Sequence, residues 1–199
     1  ALLNRLWSEG HFRLYNLRLW AQWEWNTRPL GNMAAFYKSA EATSEYIFGL
    51  GVKMTDYLFI ESDDRCSVKF FAWLPETEIT EEEENHESIL FKSSPFESRH
   101  PWIGDERKCP ATLADDPDSW IIYIPFDTCP FKLGGSLFAQ INGHNGGPSP
   151  QITDADYFID CYEVVRELVE DGIVSAGISI GNGGLATAAI HFCEGMGAR

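Results

Sequence analysis

Residues 14–25, LYNLRLWAQWEW, set Leu14, Asn16, Arg18 and Trp20 against Tyr15, Leu17, Leu19 and Ala21 with a period of two. That alternation, rich in aromatics, predicts a strand. TRPLGN then punctuates the chain. In 32–51 the apolar positions Met33, Phe36, Ala40, Tyr46, Ile47 and Leu50 recur at helical spacing, with Asn32 as the expected cap and Gly51 as the stop. VKMTDYLFI and CSVKFFAWL read as two further strands.

Periodicity is lost over 76–110, an acidic stretch containing Ser and Pro, and a domain boundary is expected within or just after it. Beyond it, SWIIYIPF at 119–126 is almost continuously apolar, the pattern of a strand buried on both faces. LGGS at 133–136 predicts a turn, LFAQI a short helix, and GHNGGPSP at 143–150 a loop. The strongest pattern is 153–172, where Phe158, Cys161, Val165, Leu168 and Val169 share a helical face. Thr153 and Asp156 resemble a capping box there, and Gly172 ends the helix. IVSAGISI then reads as a strand and GLATAAIHFC as a helix. Strands interleaved with helices predict an α/β (α+β) class.

The 199 residues are 44% hydrophobic, enough for a packed core. No apolar run reaches membrane-spanning length. The opening ALLNRLWSEGHFR lacks the layout of a signal peptide, and the missing initial Met suggests a longer parent chain. A net charge of -15 argues against nucleic acid and anionic membranes as partners. Seven of the acidic residues fall within 76–87, the composition of a solvated surface insertion. The cysteines, five in all and without a CxxC pair, suit a reducing compartment better than a disulfide framework or zinc site. The histidines are scattered too, so no metal ligands are expected.

The remaining chemistry is in glycine turns at 134–135, 146–147 and 183–184, which can offer backbone N–H groups to an anion or simply make corners. None fits the GxxxxGK[ST] or GxGxxG fingerprint, and GxSxG is missing. No catalytic residue is assigned.

Three segments in order carry a resemblance. NLRLWAQWEWNTRPLGNMAAFYKSAEATSEYIFGLGV, FKLGGSLFAQINGHNGGPSPQ and FIDCYEVVRELVEDGIVSAGISIGNGGLATAA are similar to pieces of phosphoribosylformylglycinamidine synthase. The resemblance covers most of the chain outside about 56–108. It implies parts of two domains of the aminoimidazole ribonucleotide synthetase-like fold. Residues 1–108, with the acidic insertion at 76–107, would end an N-terminal domain, and 109–199 would start its C-terminal partner. The implied reaction is ATP-dependent amidation of formylglycinamide ribonucleotide in purine synthesis, a carbon–nitrogen ligase reaction using ATP and magnesium. Gly134, Gly135, Ser136, Gly183 and Gly184 become the candidate nucleotide contacts, as backbone donors.

The wording departs from the family where charge is expected. After Leu50-Gly51-Val52 the family's Gly-Lys-Asp-Ser-Leu-Ser segment is replaced by KMTDYLFIESDD. At the later turn, the family's His, Asp, Ser and Asp fall on Ile178, Ser179, Gly181 and Asn182. The resemblance therefore implies an inherited corner without its ionisable groups, in a structural or degenerate copy. An alternative is a non-catalytic interaction protein, because LGVKMT and GGSLFAQ also resemble the synthase-like regions of gammaherpesvirus tegument proteins. The expected partners are other domains of the parent chain, and other proteins through the acidic insertion. The expected location is intracellular and cytoplasmic, or virion tegument and host nucleus if viral.

Overall fold

A computed structural model describes residues 1–75, 107–113, 116, 118–127, 132–144, 146–181 and 183–194. Residues 76–106 of the acidic insertion and Asn182 lie outside the described residues. The chain divides into two compact units, one of Ala1–Arg5 and Gly10–Glu106, the other of Leu6–Glu9 and Arg107–Arg199.

The first unit is built on a mixed three-stranded sheet. Its strands are β1 (Arg18–Trp25), β2 (Lys53–Glu61) and β3 (Cys66–Trp73), in the order β2-β1-β3. β1 runs parallel to β2 and antiparallel to β3. Helix α1 (Asn32–Gly49) makes the crossover that a parallel pair requires. Ala21, Trp23 and Trp25 form the buried seam of β1, with Phe36 of α1, Met54 and Val68 packed on it. The indoles also bond outward: Trp23 Nε1 donates to Ser39 Oγ at 3.1 Å, and Trp25 Nε1 to the Asn32 carbonyl at 2.8 Å. On the other face, the rings of Trp20 and Phe71 lie 5.4 Å apart in directly opposed positions. The β1–β2 register slips between Leu19 and Trp20, so that Thr55 opposes no residue, and its hydroxyl bonds the Leu19 carbonyl at 3.2 Å.

Two boundaries differ from the sequence pattern. The strand begins at Arg18, not Leu14, because Leu14–Asn16 forms a 3-10 turn. Arg18 Nη1 reaches back to the carbonyls of Tyr15, Asn16 and Leu17, which holds the chain bent there. The N-cap of α1 is Gly31 at φ +93°, not Asn32, whose amide instead bonds the Asn26 carbonyl at 2.8 Å. The far end behaves as the glycine predicts. Gly51 sits at φ +64°, and Val52 N donates to the Ile47 carbonyl, closing the helix in a Schellman arrangement.

The second unit contains α2 (Leu137–Ile141), α3 (Ala155–Glu170) and α4 (Gly184–Cys193). On α3, Phe158, Tyr162, Val165, Arg166 and Val169 are buried. Its cap is Asp154, whose Oδ1 accepts from Tyr157 N at 2.9 Å. Thr153 turns its hydroxyl to Asp127 instead. Gly172, at φ +71°, closes the helix as predicted.

The expected strands at 119–126 and 173–180 form no ladder among the described residues. Their apolar patterns record a tendency to be buried, but a strand also needs a neighbour for its backbone. Without one, Trp120 remains 90% exposed and Ile122 76%. The molecule is thus an α+β protein, and no described helix is long and apolar enough to cross a membrane.

Candidate functional site

The glycine turns use their backbone in different ways. Gly134 donates its N–H to the Pro148 carbonyl at 3.0 Å, which brings the 133–136 turn against the 146–148 loop. A Cβ on Gly134 would overlap the carbonyl oxygens of Gly147 and Pro148. Glycine is needed there for close backbone approach, not for its φ. Ser136 caps α2: its Oγ accepts from Ala139 N at 3.1 Å and donates to the Leu133 carbonyl at 2.6 Å. Its own N–H goes to the Leu133 carbonyl. Gly135, at φ +75°, faces open space.

The second turn precedes α4. Gly183 at φ +90° is the N-cap, with no side chain to occupy the first-turn N–H groups. Gly184 follows at φ +68° and donates to the Gly181 carbonyl at 3.1 Å. Thr187 Oγ1 returns to the Gly183 carbonyl at 3.1 Å, and a Cβ on Gly183 would overlap that side chain. Of the five candidate donors, Gly134, Ser136 and Gly184 are thus engaged internally, while Gly135 and Gly183 make no backbone bond through nitrogen among the described residues. No hydrogen bond joins the two turns among the described residues.

The charge around the second turn is sparse. Ile178, Ser179 and Gly181 supply no carboxylate, and no described cluster of three or more His, Cys, Asp or Glu could hold a metal. What the turn offers an anion is neutral: the open N-terminus of a ten-residue helix and its macrodipole.

Sequence reasoning missed the residues that hold the approach to this turn. A Cβ on Gly177 would overlap the Trp7 ring, which therefore lies directly against the chain at a buried glycine. Trp7 Nε1 donates to Ser179 Oγ at 2.9 Å. Gly177 N donates to the Pro110 carbonyl at 3.0 Å, and the Gly177 carbonyl accepts from Arg107 Nη2 at 2.5 Å. Trp7 is in turn held through its neighbours, because the buried Arg166 bonds the carbonyls of Leu6 and Ser8. Partners separated by about 160 positions leave no local trace in the sequence. Cys109 lies beside this network, its Sγ 3.1 Å from the Val174 carbonyl. Burial pushes its thiol above the ordinary range, against the opposing pull of Arg107, Arg166 and Lys108.

The chain is 24% identical, over 191 residues and 96% of its length, to a probable phosphoribosylformylglycinamidine synthase of the chloroplast and mitochondrion from Arabidopsis thaliana. It is 31% identical over 64 residues, 32% of its length, to phosphoribosylformylglycinamidine synthase from Drosophila melanogaster. It spans 12% of the first relative and matches 5% of the second. Together they support a distant link to that family. No family model matches the chain. No solved structure matches it.

Proposed function

We propose that the chain is a portion of a phosphoribosylformylglycinamidine synthase-like protein of purine synthesis. In this reading its Gly183–Gly184 turn and the start of α4 contribute backbone N–H groups to a nucleotide phosphate. The observation that carries the reading is the similarity to the Arabidopsis synthase, which extends over 96% of the chain. The uncapped start of α4 suits a phosphate, since its first-turn N–H groups and dipole favour negative charge. Magnesium fits less well, because the described residues of the turn bring no carboxylate to it. The chain's own part is then to bind and orient, while ATP, when bound, supplies the phosphoryl group that activates an amide oxygen. Positioning of this kind is a large share of phosphoryl-transfer catalysis.

The test is phosphate release from ATP by the longest polypeptide that its gene encodes, with formylglycinamide ribonucleotide and ammonium supplied. Substrate-dependent release is the expected result. A folded protein that releases none would overturn the synthase reading.

A second reading, a non-catalytic interaction protein, has one observation in its favour. Trp120, Ile121, Ile122, Tyr123 and Ile124 are all exposed, and such apolar runs commonly mark protein contacts. Failure of the phosphate-release assay would move the weight to this reading.

A further inference from the structure

We infer that Trp7 is a positioning residue for the Gly183–Gly184 turn, so that the seating of Leu6–Glu9 within the second unit sets the turn's affinity for a phosphate-bearing ligand. The inference rests on the nucleotide reading above and extends it to how that site is regulated.

Among the described residues no strand pairs with the segment entering the turn, so no ladder there fixes its direction. Trp7 takes over that task. Trp7 touches two residues of that segment, with its ring against Gly177 and its indole N–H on Ser179 Oγ at 2.9 Å. The missing Cβ at Gly177 is what lets the ring lie against the backbone. Bonds from Gly177 to Pro110 and from Arg107 to Gly177 fix the same point from its backbone edges. Only Ile180 separates Ser179 from Gly181, whose carbonyl accepts from Gly184 N and closes the turn. At about 3.3 Å per residue, the turn begins within roughly 7 Å of the anchored serine.

Trp7 is itself held by backbone bonds. Its carbonyl accepts from Lys108 N at 2.8 Å, and Arg166 Nη1 grips the carbonyls on either side, at Leu6 and Ser8. Chain contacts therefore run without a break from buried Arg166 through Trp7 to the turn. A ligand that needs several N–H groups aimed together binds more tightly when the loop is already ordered.

The experiment compares wild type, Trp7→Phe, Ser179→Ala and the double variant in the whole chain. Trp7→Phe keeps a ring against Gly177 and removes the indole N–H, while Ser179→Ala removes the acceptor. Amide hydrogen exchange is followed from Ile178 to Leu185, with α3 as the internal control, and ATP affinity is measured by calorimetry. Each single variant is expected to exchange at least tenfold faster at 178–185 and to bind ATP at least tenfold more weakly. The double variant should be no worse than either, because all three lose the same bond. Ser179→Thr, which keeps the hydroxyl, should restore both readings.

Exchange at 178–185 as slow as in wild type, or faster exchange with unchanged ATP affinity, would overturn the inference. If Trp7→Phe does not fold, Ser179→Ala decides. If wild type itself binds no ATP, the nucleotide reading fails, and the exchange data alone decide whether Trp7 orders the turn.

Discussion

Arg166 Nη1 donates to the carbonyl of Leu6 at 2.6 Å and to that of Ser8 at 2.9 Å, with no part of the side chain exposed. Its Nη2 bonds Glu170 Oε1, one helical turn on, at 3.1 Å. A buried guanidinium is costly unless its hydrogens are used, and these contacts make that burial tolerable. Replacing Arg166 by Leu leaves two carbonyls and a carboxylate to find new partners. We expect a loss of about 3 kcal/mol in the unfolding of the second unit, measured by urea titration. Arg166→Lys should recover only part of it, since a single ammonium cannot reproduce the fork. A Leu variant as stable as wild type would contradict this role.

Gly134 and Gly135 are adjacent but should respond differently. A Cβ on Gly134 meets the carbonyl oxygens of Gly147 and Pro148, so Gly134→Ala must push the two turns apart. The expected cost is about 1–3 kcal/mol, that of an overpacked site. Gly135, at φ +75° in open space, needs only a residue that tolerates the left-handed region. Gly135→Asn should therefore cost less than about 1 kcal/mol. Thermal denaturation of the two variants side by side checks the contrast, and equal losses would refute it.

Gly177→Ala tests the Trp7 contact from the opposite side. The new methyl group must displace an indole, so the variant should expose Trp7 to solvent and red-shift its emission in a background where the other tryptophans are replaced. A cost of about 1–3 kcal/mol is expected. An unshifted spectrum would show that the ring does not depend on the glycine.

Cys109 gives a pH dependence of known sign. Burial favours its neutral thiol, so the folded-state value lies above that of the unfolded chain, about 8.5. Below that pH both states hold the proton and the group contributes no slope. Above it the unfolded chain loses its proton first, and stability falls with rising pH until the folded thiol also ionises. Wild type should therefore lose more stability than Cys109→Ala between pH 7.5 and pH 10 in urea unfolding. Parallel losses would remove the assignment.

The helix ends of both units and the strands of the first were legible because their signals are local. Gly51 and Gly172 end helices where a positive φ is needed, and the Trp23–Trp25 alternation places one face of β1 against α1. Capping was misread by one position at both Asn32 and Thr153, since neighbouring residues can each offer a cap and tertiary bonds decide between them. The run at 119–126 looks like a buried strand because composition reports apolarity, not the presence of a neighbour. At the candidate site the glycines stood out in the sequence. Trp7 and Arg166 did not, because their meaning lies in contacts with residues far along the chain.

The measurement that bears most directly on the proposed role is calorimetric titration of ATP into the folded chain, with magnesium and again with EDTA. Backbone donors at the start of α4 predict binding that survives EDTA, because the described residues there bring no carboxylate for a metal. No binding heat under either condition would contradict a nucleotide role for this chain.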